Sequence, residues 1–389
     1  MLMQAAAPQA TRIAAGMTRL AQTLLAGLGA LVLVVVSLEA SFGGILRLRE
    51  RRSLETLPGR AADPEMPWAA DYWREWRTAC RLPDRMRYTG DGVWHLEPFA
   101  GRAINIGADG LRRTSNSACG DGALRIAMFG GSMLWGHGVP DDLTIPSLLA
   151  ARYRRDGRLA CVSNHGEWGA TTRSALAELL HELQRLGGRP DVVLFYAGSY
   201  DAKEALFHAA GESGSEIEAT IRAGERRRRE PWFFRDSALA RVFNPRHRDA
   251  SRRRLPAVTA EAAGDEAVRV VAEVQRIVEA LAPAYGFRPF FVWHPYVLSG
   301  EKQLTREEEA LVTQVDRDVP DIAVAIRRAY RAAHERRAPG FRDFSDIFAT
   351  RRETLFIDAG HLTAAGNRII ADRLYDILTS RTETPAGLP

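Results

Sequence analysis

From residue 124 onward, short apolar runs alternate with longer amphipathic segments. Each apolar run has the length of a buried strand, and the segments between the runs repeat apolar residues at helical spacing. The predicted strands cover 124–130, 160–164, 191–198 and 287–295, and the predicted helices cover 144–157, 172–186, 265–281 and 363–378. Strands joined by helical crossovers form a parallel sheet with helices on both faces. The pattern therefore predicts an α/β fold whose ligands bind at the carboxyl ends of the strands.

The N-terminal part contains a second strong signal, the apolar segment 20–38. Its only polar members are Gln22, Thr23 and Ser37, and a helix of this length spans a hydrocarbon core of about 30 Å. No convincing cleavage motif follows it, which favours an uncleaved signal anchor over 20–46 rather than a removed signal peptide. The whole chain has 46% hydrophobic and 26% charged residues, so the remainder has the composition of a soluble globular domain.

The stretch after the anchor is interrupted by five prolines up to residue 123, which predicts a stalk and lead-in segment over 47–110 rather than long helices or strands. Within it, residues 67–76 place four aromatic side chains close together on a short helix. A helix that caps the main domain with its aromatic side chains buried is favoured over one that touches the membrane interface. These side chains are Trp68, Tyr72, Trp73 and Trp76.

The three cysteines, Cys80, Cys119 and Cys161, are too few for a disulfide scaffold or a zinc site. Two alternatives remain. A Cys80–Cys119 bridge would need an oxidising compartment, whereas free buried thiols, which are slightly favoured, would not. Four arginines follow the apolar segment and two precede it, so the positive-inside rule taken alone keeps the main domain in the cytoplasm.

Candidate catalytic residues stand at the predicted strand ends. The first strand runs into Gly130, Gly131 and Ser132, where glycines allow a sharp turn that presents the serine hydroxyl and the next amide together. Asp358 and His361 stand three residues apart in a turn before the last helix. That spacing lets a carboxylate hold one imidazole nitrogen while the other nitrogen faces a hydroxyl group. The combination predicts a serine nucleophile with a histidine base.

These motifs resemble those of the SGNH (GDSL-type) hydrolase family, in particular membrane-anchored bacterial members associated with exopolysaccharide genes. The resemblance covers about 111–378 and involves GLRR (110–113), FGGSMLWGHGVPDDLTIPSLLA (129–150), NHGEWGATT (164–172), FVWHP (291–295) and DAGHLTAAGN (358–367). It implies a three-layer, flavodoxin-like domain with a central parallel sheet over 111–380, preceded by one transmembrane helix. Residues 1–19 and 381–389 would be terminal tails.

The resemblance also implies roles for individual residues. Ser132 would be the nucleophile, His361 the base and Asp358 the acid, and the backbone amides of Ser132 and Gly169 would form the oxyanion hole. The third family block ends in Gly-x-Asn-Asp, whereas this chain has Tyr200 at the position of the asparagine. The loss of one oxyanion donor costs about 10²- to 10³-fold in turnover. Either the Tyr200 hydroxyl or a neighbouring group replaces that donor, or activity is weakened.

The implied function is a membrane-anchored serine esterase that removes or transfers O-acyl groups, most simply O-acetyl groups, on a carbohydrate. Hydrolase and O-acetyltransferase activity are both compatible with the motifs. The alternative, favoured by Tyr200, is a catalytically weak or silent protein of the same fold that acts in glycan binding or polysaccharide assembly. No cofactor or metal is implied. The resemblance and the possible bridge together favour an extracytoplasmic domain on the bacterial inner membrane.

An Arg-rich insertion, residues 211–262, follows the third block. Its central part, 222–254, contains twelve arginines and four acidic residues. It is interpreted as a solvated loop, as a lid or groove for an anionic glycan, or as a patch for anionic lipid headgroups. Nucleic acid is not expected as a partner, because no binding motif is present. The remaining loop histidines, His137, His165 and His294, are expected to make local hydrogen bonds rather than bind metal.

Overall fold

The computed structural model describes most of the chain, namely residues 7–55, 66–80, 85–90, 93–184, 189–212, 216–229, 237, 239 and 255–380. Two compact units are present. One consists of Met1–Glu55 with Arg228–Arg252, and the other of Thr56–Arg227 with Arg253–Pro389. The predicted C-terminal tail and most of the later half of the Arg-rich insertion lie outside the described residues.

The first unit contains one long helix, α1 (Ala7–Glu55). Its segment Gln22–Leu46 has a mean hydropathy of 2.2, is nowhere buried, and is long and apolar enough to cross a membrane, as a signal sequence also is. The carboxylate of Glu39 in this segment accepts hydrogen bonds from Ser237 Oγ (2.9 Å) and from the backbone N–H of Leu239 (3.0 Å). The helix continues past the predicted end of the anchor to Glu55, because the first proline after the anchor comes only at Pro58.

The second unit begins with a lead-in region of one helix and two small antiparallel hairpins. These elements are α2 (Ala69–Ala79), β1 (Met86–Gly90), β2 (Val93–Leu96), β3 (Phe99–Ala100) and β4 (Asn105–Ile106). Tyr72 and Trp73 of α2 are buried in a cluster with Trp94 and Trp135. The aromatic helix therefore caps the domain, in agreement with the favoured interpretation of this segment.

The remainder of the second unit alternates strands and helices. Its first half comprises β5 (Leu124–Gly130), α3 (Ser132–Trp135), α4 (Ile145–Arg155), β6 (Ala160–Gly166), α5 (Thr172–Gln184), β7 (Val192–Ala197), α6 (Ser199–Ala209) and α7 (Glu216–Arg229). Its second half comprises α8 (Ala257–Tyr285), β8 (Arg288–Trp293), α9 (Arg306–Asp318), α10 (Pro320–Glu335), β9 (Phe341–Asp343) and α11 (Ala364–Thr379).

The five strands β5 to β9 form one parallel sheet in the order β6-β5-β7-β8-β9. This is the doubly wound, flavodoxin-like order. The chain passes from β5 to β6 on one side and then returns to β7 on the other side of β5. The predicted α/β fold is thus confirmed. The short strand β9 and the helices α9 and α10 were not among the predicted elements.

Helices cover both faces of the sheet, because successive strand residues point to opposite sides and both sets are apolar. Phe129, Phe195 and Phe291 stack across three neighbouring strands on one face, with ring centroids 5.5 and 4.6 Å apart. Their core includes residues of α5, α6, α8 and α10. Met128 and Leu194 belong to the opposite core, together with residues of α4, α9 and α11. The result is a three-layer domain.

The cysteine pairing differs from both alternatives taken from the sequence. Cys119 forms a disulfide with Cys161, and Cys80 is a free, buried thiol. The Cys80–Cys119 bridge is therefore wrong, and the slightly favoured interpretation of free buried thiols holds for Cys80 but not for Cys119. The segment before Cys119 lies along β6, where the Ala118 N–H donates to Ala160 O (2.9 Å), so Cys119 meets Cys161. Cys80 instead lies in the core of the lead-in region.

Candidate active site

The turn after β5 leaves little room for side chains at its two glycines. A Cβ at Gly130 would lie 2.9 Å from Tyr196 O, and one at Gly131 would lie 3.2 Å from Ala170 O. Ser132 follows at once as the first residue of α3. The strand end therefore delivers the serine onto a tight turn between two neighbouring backbone segments, as the sequence predicts.

Ser132, His361 and Asp358 form one continuous hydrogen-bonded chain. Ser132 Oγ lies 2.7 Å from His361 Nε2, and His361 Nδ1 lies 2.7 Å from Asp358 Oδ2. An ionised carboxylate only accepts hydrogen bonds, so the proton of the neutral imidazole stands on Nδ1 and Nε2 accepts from the serine hydroxyl. This is the arrangement in which a histidine can take the proton of a serine nucleophile.

The loop that carries Asp358 and His361 is held by its own backbone. The Ile357 N–H donates to His361 O (2.9 Å), and the Thr363 N–H donates to Leu355 O (2.8 Å). Thr363 then caps α11 by accepting from the Gly366 N–H (3.2 Å). The two catalytic candidates are thus fixed on one tight turn directly before a capped helix.

Asp358 is held in its charged form by its surroundings. Burial alone would raise the pKa of this carboxyl, but the neighbouring His361 and His137 outweigh burial and hold its pKa well below the usual range. Asp358 Oδ1 also accepts hydrogen bonds from the backbone N–H groups of Gly360 (2.9 Å) and His361 (2.8 Å). An ionised carboxylate in this place can orient the imidazole and stabilise its protonated form.

Arg112 supports the loop that follows Ser132. Its buried guanidinium donates to the carbonyl oxygens of Trp135 (3.1 Å), Gly136 (2.6 Å) and Val139 (2.7 Å). Its Nε donates to the buried carboxylate of Asp141 (3.0 Å). Sequence reasoning noted this arginine only within GLRR. Nothing in its local pattern shows that it reaches the nucleophile loop, more than twenty residues further along the chain.

His137 lies beside the catalytic candidates, where the sequence suggests only a local loop contact. Its ring centroid is 4.3 Å from that of His361, and its Nε2 is 4.0 Å from Asp358 Oδ2. These three side chains lie close enough together to hold a metal ion, although no short sequence spacing connects His137 with the other two. Both ring nitrogens of His361 already contact Asp358 and Ser132, so a metal would compete with the catalytic arrangement.

The other two loop histidines also make hydrogen bonds; those of His165 are with nearby residues, as predicted, whereas His294 reaches a distant part of the chain. His165 lies between Glu178 Oε1 (3.1 Å) and Ser163 Oγ (3.0 Å). His294 Nε2 accepts from the Ser199 N–H (3.1 Å) at the start of α6. Burial lowers the pKa of His294 to about 3, so the ring is neutral and remains an acceptor for this amide.

The remaining sequence-predicted residues are Gly169 and Tyr200. Gly169 has a φ of +67°, and a Cβ there would lie 2.7 Å from Ile217 Cβ, so this position requires glycine. The ring of Tyr200 lies beside the nucleophile turn, since a Cβ atom added at Gly131 would lie 3.6 Å from Tyr200 Cδ2. The Lys203 ammonium lies 4.7 Å from the centre of the Tyr200 ring.

A pocket of about 310 Å³ adjoins the candidate triad. Sequence reasoning missed most of its walls, because they come from α9 and from the loop after β8. A usable signal is present in α9, where apolar residues repeat every fourth position. The lining residues outside the triad are Met133, Ser199, Tyr200, Lys203, Tyr296, Leu311, Gln314, Val315, Asp318, Val319, Ala359 and Gly360.

No family model matches the chain, and no curated protein matches it either. Similar solved structures include an alpha/beta hydrolase enzyme from the metagenome of Lake Arreo, with 16% identity, a TM-score of 0.34, and coverage of 67% of this chain and 97% of that chain. A member of the lipolytic G-D-S-L family from Veillonella parvula has 13% identity and a TM-score of 0.34, and the match covers 67% of this chain and 100% of that chain.

The acetyl xylan esterase AlAXEase has 14% identity and a TM-score of 0.35, and the match covers 65% of this chain and 99% of that chain. These identities and TM-scores are too low to assign an activity or a substrate. The chemistry available to the site follows from its own geometry, which joins a serine hydroxyl, an imidazole and an ionised carboxylate.

Proposed function

We propose that this protein is a serine esterase that works through an acyl-enzyme intermediate. The observation that carries the proposal is the hydrogen-bonded chain from Ser132 Oγ through His361 to Asp358. Ser132 attacks the ester carbonyl carbon while its proton passes to His361 Nε2, and Asp358 stabilises the imidazolium that forms. His361 then returns the proton to the leaving alkoxide, and water or a second alcohol releases the acyl group.

The oxyanion of the tetrahedral intermediate is assigned to the backbone amides of Ser132 and Gly169. The loop that carries Gly169 supports this assignment, because the Glu167 N–H donates to Gly130 O (2.9 Å) and so joins this loop to the nucleophile turn. Tyr200 is the third candidate donor, since its ring lies beside the nucleophile turn. A Tyr200→Phe variant separates the contribution of the hydroxyl from that of the ring.

The proposed substrate is an O-acyl ester of a carbohydrate. Trp168 supports this choice, because its half-buried ring lies 6.4 Å from that of His361 and packs against Trp76 at 6.0 Å. Aromatic faces of this kind offer flat apolar surface next to a polar ring atom, which suits the mixed apolar and hydroxylated surface of a sugar. The Arg-rich insertion is proposed to contact anionic groups of the glycan or of lipid headgroups.

The proposed location is the outer side of the bacterial inner membrane. The apolar segment of α1 supports attachment to a membrane. The Cys119–Cys161 disulfide supports an extracytoplasmic domain, because disulfides persist in oxidising compartments.

The decisive experiment measures the turnover of p-nitrophenyl acetate by the full chain and by its Ser132→Ala variant. We expect turnover by the unchanged protein and only background hydrolysis by the variant. Ser380→Ala, which removes a serine hydroxyl at the end of α11, serves as the matched control and should leave turnover unchanged. Equal turnover by the unchanged protein and the Ser132→Ala variant would refute the esterase and favour a silent protein that binds or assembles glycans.

A further inference from the structure

The pocket beside the candidate triad has an apolar inner part. Leu311 and Tyr296 are buried, at 7% and 4% exposure, and Met133 next to the nucleophile is buried at 7%. Val315 is half-buried one helical turn after Leu311, and Val319 follows at the same spacing. Leu311, Val315 and Val319 thus form an apolar line along one face of α9 and at its C-terminal end.

The polar lining residues of α9 stand at the outer edge of the pocket. Gln314 and Asp318 are exposed, and the carboxylate of Asp318 is paired with Arg317 Nε at 2.8 Å. Tyr200 and Lys203 of α6 also line the pocket, and the Lys203 ammonium lies 4.7 Å from the centre of the tyrosine ring. The buried part of the lining therefore combines the apolar side chains of Leu311 and Met133 with the hydroxyl groups of Ser199 and Tyr296, beside the catalytic groups.

The size of the pocket exceeds what an acetyl group needs. A group as large as a water molecule occupies about 30 Å³, so an acetyl methyl would leave most of the 310 Å³ unfilled. Pockets that hold small-molecule ligands start at about 300 Å³ and are lined mainly by apolar and aromatic side chains. The volume and the lining both suit a hydrocarbon chain.

We propose that this pocket binds the acyl chain of the ester, and that the preferred acyl group is an unbranched chain of about six to eight carbons, which would fill most of the volume. The inference rests on the proposed esterase function and names the acyl group that this esterase transfers to Ser132. The ester carbonyl lies at Ser132, and the chain extends past Met133 and Tyr296 along Leu311 and Val315.

The test compares kcat/KM for p-nitrophenyl acetate and p-nitrophenyl octanoate, using the full chain held in lipid nanodiscs. Each methylene group removed from water favours binding by about fourfold. We therefore expect the octanoate to exceed the acetate by at least about tenfold, even if the chain is only partly buried. An octanoate value equal to or below that of the acetate would overturn the proposal.

Two variants of α9 make the test specific to the pocket. Val315→Trp inserts a large side chain into the lining, so the ratio of octanoate to acetate kcat/KM should fall at least about tenfold. Thr313→Trp places the same side chain on the same helix at an exposed position outside the lining, and both kcat/KM values should stay unchanged. A ratio that does not differ between the two variants would also overturn the proposal.

A direct binding measurement separates this inference from the esterase itself. Octanoate is titrated into the Ser132→Ala protein and into the same protein carrying Val315→Trp. Binding by the first and not by the second supports the acyl pocket, even where no ester is hydrolysed and the proposed function fails. An absence of octanoate binding to both proteins would refute the acyl pocket, whatever the turnover of acetate shows.

Discussion

Asp358 is the residue whose surroundings define its role most completely. Two backbone N–H groups and the imidazole of His361 donate to its carboxylate, and its pKa is held well below the usual range because His361 and His137 outweigh the effect of burial. A depressed pKa means that the charge is lost only when the pH falls far below the ordinary range of an aspartate.

The Asp358→Asn variant should lower kcat for p-nitrophenyl acetate by about 10³- to 10⁴-fold, because an amide in this place favours the wrong imidazole tautomer and stabilises no imidazolium. The amide oxygen can still accept from the loop N–H groups, so the fold should persist, which circular dichroism would verify. A loss of less than about tenfold would show that Asp358 does not act on the base.

Arg112 illustrates a residue that acts through structure. Replacing it with methionine removes the buried cation beside Asp141 and takes one hydrogen-bond donor from each of three loop carbonyl groups. We expect the free energy of unfolding to fall by about 3 to 5 kcal/mol, as measured by denaturant titration. Arg113→Met is the matched control, because Arg113 is largely exposed and its contact with Asp141 is long, at 3.9 Å. This variant should lower the free energy of unfolding by less than about 1 kcal/mol.

Among the elements, hairpin β1–β2 is joined to the domain by a buried charged cluster. His95 of β2 lies 3.7 Å from a Glu167 oxygen and 3.4 Å from a Glu178 oxygen, while His165 contacts Glu178 from the other side. The same loop is tied to the nucleophile strand, because the Glu167 N–H donates to Gly130 O (2.9 Å). The hairpin is thereby connected to the turn that carries Ser132.

This cluster predicts a pH dependence of stability. Burial alone would lower the pKa of His95, but the contacts with Glu167 and Glu178 outweigh it and raise the pKa to about 10. A raised pKa stabilises the fold fully below the unfolded value of about 6.5, and this stability is lost as the pH rises towards 10. The melting temperature should therefore fall between pH 6.5 and 10. The decrease should be smaller in His95→Gln, and an identical decrease in both proteins would contradict the assignment.

For the whole molecule, the apolar helix and the disulfide make a joint prediction about orientation. Alkaline phosphatase fused after the last residue should be active, and a fluorescent protein that matures only in the cytoplasm should stay dark. The Cys119–Cys161 bond should also be intact in protein isolated with thiols blocked. An active cytoplasmic reporter with reduced cysteines would place the domain inside.

Removal of the Cys119–Cys161 bond by Cys161→Ser should lower the free energy of unfolding by about 2 to 4 kcal/mol.

The sequence predicted the parallel sheet, most of its strands and the three catalytic candidates. Apolar strands follow a local sequence pattern. The catalytic motifs are local as well, because Gly131 is adjacent to Ser132 and Asp358 is three residues from His361. Such signals need no knowledge of distant contacts. Strand β9 was missed because its three residues are too few to form a periodic pattern.

Other features depend on residues that only folding brings together. The partner of Cys119, the position of His137 beside Asp358, the reach of Arg112 into the nucleophile loop and the walls of the pocket on α9 all join distant parts of the chain. Local propensity carries no information about such pairs, because packing of the layers sets their distances. The sequence by itself determined the sheet and the chemistry at its strand ends, and the tertiary structure decided which side chains surround that chemistry.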